Sequence, residues 1–369
     1  MKIAMFGQKM VPSRLGGVEV VVENLATRMS KKKNNIVLYN RKIKNVVPLK
    51  QYEGVKLFTV PTINKKGLAA ISASFFAAMR VSFKDYDIVH IHAEGPAFFS
   101  WMPKLFGKKV VVTIHGLDWQ REKWKNGLGS KFIKMGEKIA TKCSDAVIVL
   151  SQNNQKYFLE KYGLKTILIP NGVNSPQVLK PNLIEKKWHL QKDNYILFLG
   201  RIVPEKGIKK VVLAFKEIKT DKKLVIAGGA SDTSDFYTEI REIAKNDPRI
   251  IFTGQVEGQV LGELYSNTYL YTLPSDLEGM PLSLMEAMSY GNAVLVSDIP
   301  ECTDVINNHG LVFKRGDKKD LQKKLEYAIA HPSLVQQFKE EAASYILNKY
   351  NWDKIVDETL LVYKECLND

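Results

Sequence analysis

The feature that most constrains the fold is a repeated alternation of short apolar runs with stretches of helical spacing. In the first half the strand-like runs are Ile3–Phe6, Ile36–Tyr39, Val55–Val60, Ile88–Ile91, Val110–Ile114, Ala146–Leu150 and Ile167–Ile169. Between the first two, Val18, Val21, Val22, Leu25 and Met29 share one face of a helix. In the second half the runs are Tyr195–Leu199, Leu224–Ala227, Ile250–Phe252, Leu270–Leu273 and Ala293–Val296. Strands this apolar are buried on both faces, so their alternation with helices predicts parallel sheets covered on each side. The pattern occurs twice, and Asn171-Gly172, Pro176 and Pro181 interrupt it as a linker would. The expected fold is α/β, with two Rossmann-like domains whose parallel sheets face across a cleft. Residues 1–175 form the first, 176–350 the second, and the helical stretch 351–369 packs back on the first. Ligands of such sheets sit outside the carboxyl ends of the strands.

No stretch approaches the roughly 20 apolar residues of a membrane-spanning helix. The longest nearly apolar run, Leu68 to Met79, reads as a buried helix. Met1-Lys2-Ile3 enters a strand with no signal-like segment before it, and Cys143, Cys302 and Cys366 fit neither a disulfide framework nor a zinc spacing. A cytoplasmic protein is expected. The net charge of +15 is unevenly spread: residues 1–180 hold 30 Lys and Arg against 11 Asp and Glu, and the rest hold 24 against 28. Such a field favours an anionic partner, solubility alone being the other reading.

Two strand-to-helix junctions of the second half carry the chemistry. The segment Pro274-Ser275-Asp276-Leu277-Glu278-Gly279-Met280-Pro281-Leu282-Ser283-Leu284-Met285-Glu286 runs from a strand through a glycine loop into a helix, with Pro281 near its first position. Unpaired N–H groups and the positive dipole end of such a helix suit a diphosphate, and Glu278 and Glu286 suit sugar hydroxyls. Leu199-Gly200-Arg201-Ile202-Val203-Pro204-Glu205-Lys206-Gly207 follows another strand and brings a guanidinium and an ammonium to the same edge. That pairing neutralises a departing diphosphate. Ordinary solvated loops are the alternative for both.

With these motifs the chain resembles glycosyltransferase family 4 of the GT-B superfamily over nearly its whole length. The family's pair of glutamates matches Glu278 and Glu286, and its Gly-Arg-x-x-x-x-Lys-Gly matches Gly200, Arg201, Lys206 and Gly207. The resemblance implies that Arg201 and Lys206 hold the donor phosphates, Glu286 the ribose and Glu278 the donor sugar. It adds Gly279, Met280, Pro281, Leu282 and Ser283 as donor-binding positions. It also implies retention of anomeric configuration without a metal or other cofactor. The co-substrate is a nucleoside-diphosphate sugar, a UDP-sugar first and a dTDP- or GDP-sugar next. In the first half, Gly16-Gly17-Val18-Glu19 opens a helix where small residues let the backbone approach a phosphate. The resemblance places His115, at a strand end in Thr113-Ile114-His115-Gly116, against the donor sugar; a structural histidine is the alternative. The pattern Pro12-Ser13-Arg14-x-Gly16-Gly17 with His115-Gly116-Leu117-Asp118-Trp119-Gln120-Arg121 is similar to bacterial enzymes that build surface or capsular polysaccharide on lipid carriers.

The expected reaction is sugar transfer to a hydroxyl of a lipid-linked glycan, with Glu278, His115, Arg201 and Lys206 as the catalytic set. A sugar-nucleotide 2-epimerase and a non-catalytic nucleotide-sugar-binding protein are the alternatives. Trp101, Trp119 and Trp124 lie among Lys104, Lys108, Lys109, Arg121, Lys123, Lys125, Lys131 and Lys134, a mixture that suits an anionic membrane interface. A set of core residues with a solvated face and an RNA-binding surface are the alternatives; peripheral association with the inner face of the cell membrane is expected, and no nucleic-acid partner. Asp85-Tyr86-Asp87 precedes a strand and reads as a turn rather than a metal site, and His90, His92 and His115 lack zinc-like spacing.

Overall fold

The computed structural model describes residues 1–14, 16–65, 67–124, 127–229 and 234–368. The chain divides into two compact units, Met1–Gly172 with Trp352–Asp369, and Val173–Asn351. In the first, the apolar runs become β1 (Lys2–Phe6), β2 (Asn35–Arg41), β3 (Gln51–Tyr52), β4 (Val55–Val60), β5 (Ile88–His92), β6 (Lys109–Ile114), β7 (Ala146–Val149) and β8 (Ile167–Leu168). They pair in the order β3-β4-β2-β1-β5-β6-β7-β8, all parallel except β3 with β4. The second unit holds β9 (Tyr195–Leu199), β10 (Lys223–Ala227), β11 (Ile250–Gly254), β12 (Leu270–Leu273), β13 (Val294–Ser297) and β14 (Leu311–Phe313). Their order is β11-β10-β9-β12-β13-β14, parallel throughout. Each sheet therefore reverses its strand order once, between β1 and β5 and between β9 and β12. Ligands of doubly wound sheets bind beyond the carboxyl ends at this reversal.

Helices cover both faces of each sheet, and each unit has its own apolar core. Helix Trp352–Asn368 packs on helix Gly17–Lys31 and buries Ile355, Val356, Leu360 and Tyr363 in the first unit. Chain entry and exit of the second unit lie side by side, because Val173 bridges Asn351 and its N–H donates to the Tyr350 carbonyl at 2.9 Å.

Two expectations need correction. The segment after Gly172 is not a free linker: its helix Leu183–Trp188 buries Ile184, and Glu263 accepts the Asn182 and Ile184 N–H groups at 2.9 and 3.1 Å. Helix Leu68–Ser82 is not buried all round either. Ala73, Ala77, Ala78 and Val81 face the core, while Leu68, Phe75 and Met79 are exposed. The sequence shows apolarity there but not which face has a neighbour. Among the described residues no helix is long and apolar enough to cross a membrane.

Candidate functional site

Both second-unit motifs lie at the reversal of their sheet: Gly200–Gly207 follows β9, and Pro274–Pro281 follows β12. Gly207 joins them. It adopts φ +69°, and a Cβ there would lie 1.9 Å from the Pro274 carbonyl oxygen, so only glycine lets the two loops touch. The Asp276 N–H then donates to the Glu205 carbonyl at 2.8 Å. Lys206 Nζ donates to Glu278 Oε1 at 2.5 Å, and the Ser275 hydroxyl donates to the same oxygen at 2.6 Å. Lys210 Nζ holds Asp276 Oδ2 at 2.6 Å. Sequence reasoning named Lys206 and Glu278 but missed Ser275, Asp276 and Lys210, which fix the loop around them.

Arg201 is half-buried in the β9 loop, where the adjacent Ile202 N–H donates to the Gly229 carbonyl at 3.1 Å. The helix after the second loop spans Leu282–Ser289, so Pro281 is its cap rather than its first residue. Gly279 is buried, and Met280, Leu282 and Ser283 are partly exposed. Tyr271 sets this helix start: its hydroxyl donates to the Leu199 carbonyl at 3.2 Å and lies 2.9 Å from Ser283 Oγ. Glu286, one turn further on, accepts the Tyr265 hydroxyl at 3.3 Å. A cation, two carboxylates and a helix start are thus gathered beyond the ends of β9 and β12.

In the first unit, Gly16 caps the helix Gly17–Lys31. A Cβ on Gly16 would lie 2.3 Å from Glu19 Oε2, the movable end of a side chain, so a larger residue there would displace that carboxylate. His115 follows β6, with its Nε2 3.1 Å from His92 Nδ1. His90 Nδ1 lies 2.6 Å from the Tyr363 hydroxyl and its Nε2 2.7 Å from Thr113 Oγ1. Burial holds the His90 ring down to about 3 and, together with the neighbouring rings, His92 well below its ordinary value. Dense packing outweighs the attraction of Asp118 and holds His115 at about 4, so this ring is a neutral hydrogen-bonding group near pH 7.

The aromatic and basic segment is not one exposed surface. The Trp119 indole donates to Glu137 Oε2 at 3.1 Å, with Lys134 Nζ 4.3 Å above its ring. Trp124 packs so closely on Gly129 that a Cβ there would lie 2.5 Å from its ring. Trp101 is exposed. Lys125 and the side chain of Lys123 lie outside the described residues. Asp85 and Asp87 both serve Lys2, the first binding its ammonium and the second its N–H, at the amino end of β5.

This arrangement matches known proteins along the chain. The family described as Glycosyltransferase Family 4 matches residues 15–176, and the one described as Glycosyl transferases group 1 matches residues 180–345. The chain is 24% identical to the capsular polysaccharide biosynthesis glycosyltransferase CapM of Staphylococcus aureus, covering 70% of this chain and 71% of the relative. It is 25% identical to the UDP-Gal:alpha-D-GlcNAc-diphosphoundecaprenol alpha-1,3-galactosyltransferase of Escherichia coli, covering 86% of each. Anabaena HepE, solved with UDP and glucose, superposes with a TM-score of 0.81 at 14% identity, covering 99% of this chain and all of that one. The likeness to solved structures gives the fold, GT-B, and the two family matches give the class, a glycosyltransferase. The chain carries a Glycosyltransferase Family 4 region in its first half and a Glycosyl transferases group 1 region in its second, and is similar to a relative named for capsular polysaccharide biosynthesis.

Proposed function

We propose that the protein is a retaining, metal-independent glycosyltransferase that moves a sugar from a UDP-sugar to a hydroxyl of a lipid-linked glycan at an anionic membrane surface. The observation that carries this reading is the junction of the β9 and β12 loops, where Lys206 meets Glu278 beside the helix start at Leu282. Arg201, Lys206 and the first-turn N–H groups would stabilise charge developing on the leaving diphosphate, the interaction that most lowers such barriers. Glu286 would hold the ribose and Glu278 the sugar, and neutral His115 would contact that sugar. Gly16 and Gly17 would let the backbone approach the donor. The departing phosphate oxygen would take the acceptor proton as the acceptor attacks the same face of the sugar. The relatives' names support this substrate class: one uses UDP-Gal and a diphosphoundecaprenol-linked sugar, and HepE holds UDP.

A thermal-shift panel of UDP, GDP and dTDP with their sugars tests the donor, since a ligand that binds only the folded state raises stability. UDP is expected to stabilise most. Transfer of the selected sugar to a polyprenyl-diphosphate-linked acceptor in vesicles should then persist in EDTA. No stabilisation by any nucleotide, or a rate abolished by EDTA and restored by magnesium, would overturn the reading.

A further inference from the structure

Two buried carboxyl groups hold the loop that follows His115, and the chemistry above uses neither. Glu94 follows β5, one of the two strands at the first unit's reversal. Ala93 before it adopts φ +76°, a conformation that side-chain-bearing residues keep only under strong local constraint. Glu137 lies on helix Leu128–Cys143 beside Gly136, where a Cβ would sit 2.0 Å from the Glu94 carbonyl oxygen. Helix and strand end therefore meet backbone to backbone, bringing the carboxyls together.

From this pair hang two consecutive loop residues. Glu94 Oε2 accepts the Asp118 N–H at 2.8 Å, and Glu137 Oε2 accepts the Trp119 indole N–H at 3.1 Å. Glu137 Oε1 also accepts the Tyr157 hydroxyl and Lys161 Nζ, each at 2.8 Å, and the Tyr162 hydroxyl. Glu94 Oε1 is buried and receives no donor from the described residues. A buried carboxylate oxygen without a donor is costly. Its neighbour is the Glu137 carboxylate, so a proton on Glu94 supplies the missing hydrogen bond. Burial, then the charges of Asp118 and Glu137, push Glu94 well above its ordinary value. Burial also raises Glu137, but its hydrogen bonds from Glu94, Lys161, Tyr162 and Tyr157 outweigh this and hold it low. Arg121 neutralises Asp118 at 2.8 Å, and Lys134 covers Trp119.

We propose that Glu94, as a neutral acid, and Glu137, as its carboxylate partner, are positioning residues that hold Asp118 and Trp119, and through them His115, for sugar transfer. This rests on the reading that His115 meets the transferred sugar. Glutamine imitates the protonated form of glutamate, so the two positions respond differently in the full chain. Glu94→Gln keeps a donor toward Glu137 and an acceptor for Asp118; Glu137→Gln loses the charge that gathers five donors.

The test pairs the ¹H–¹⁵N indole signal of Trp119, assigned with Trp119→Phe, with UDP release from UDP-galactose or UDP-glucose, whichever the wild type consumes. Glu94→Gln should keep the signal and hold kcat within about two-fold, whereas Glu137→Gln should shift the signal and lower kcat about ten-fold at nearly constant KM. Should Glu137→Gln fail to fold, Trp119→Phe, which removes only the indole contact, should show the same fall in kcat. Equal losses in both glutamine variants, or an unmoved signal in Glu137→Gln, overturn the carboxyl pair. A shifted signal with unchanged kcat overturns instead the placement of His115 at the sugar.

Discussion

Lys206 and Glu278 are assigned to different parts of the donor, yet they are bonded to each other at 2.5 Å with side chains only 14% and 8% exposed. On the proposed assignment, donor phosphate would compete with Glu278 for the ammonium. Removing one member of so sheltered a pair leaves a charge with too few partners. Lys206→Ala is expected to cost about 1–3 kcal/mol of stability and to weaken UDP binding about ten- to hundred-fold. The double variant Lys206→Ala/Glu278→Gln should recover most of the stability, because no uncompensated carboxylate remains, but none of the UDP affinity. Denaturant titration and calorimetry measure the two separately; a double variant that regains affinity would remove Lys206 from the phosphate site. The sequence exposed both residues, because glycine, charge and a strand end stand together in each motif. Their contact was not legible, since it depends on which strands are neighbours. Glu94 and Glu137 were missed for the same reason: each looks ordinary until Gly136 lets the two backbones meet.

At the level of elements, one glycine decides whether the β9 and β12 loops share a site. Gly207 and Gly254 have nearly the same φ, +69° and +70°, but a Cβ on Gly254 would meet nothing within 4 Å. Gly254→Ala should cost about 1–2 kcal/mol, the left-handed backbone penalty alone. Gly207→Ala adds the clash with Pro274 O, so its loss should be clearly larger and accompanied by weakened UDP binding. Equal losses in denaturant titrations of the two variants would contradict the close-approach argument. The long parallel strands were readable because burial on both faces leaves continuous apolar runs. β3 and β14 were not. β3 is two residues closing a hairpin through Glu53 and Gly54, both at positive φ, without the usual Asn-Gly or Asp-Gly signal. β14 is three residues, too short to show a period. Helix Leu68–Ser82 was misjudged because its apolar residues surround it, while only one face meets the sheet.

For the whole molecule, the return of helix Trp352–Asn368 redraws the charge map. Met1–Gly172 with Trp352–Asp369 carries 31 Lys and Arg against 16 Asp and Glu, and Val173–Asn351 carries 23 of each. All of the +15 therefore belongs to the first unit, although Arg201 and Lys206 lie in the second. That unit also exposes an apolar cluster. Phe83 and Leu105 are 68% and 75% exposed, Trp101 and Phe106 are exposed beside them in sequence, and the Phe83 and Phe106 rings lie 4.6 Å apart. Lys84, Lys104 and Lys108 flank these residues. Apolar side chains among cations suit the interface of an anionic bilayer, where each nearby lysine adds about 1 kcal/mol. The full chain should sediment with vesicles containing phosphatidylglycerol, and rising salt should weaken this because screening shortens the reach of the charges. Lys84→Glu/Lys108→Glu should lower binding most at low salt, whereas Phe83→Ser/Leu105→Ser should lower the fraction that survives high salt. A truncation to residues 1–175 is unsuitable, because it removes the helix that buries Ile355, Val356 and Tyr363 in the same unit. Equal sedimentation with neutral and anionic vesicles, or none with either, would sink the membrane proposal and leave the transferase family untouched.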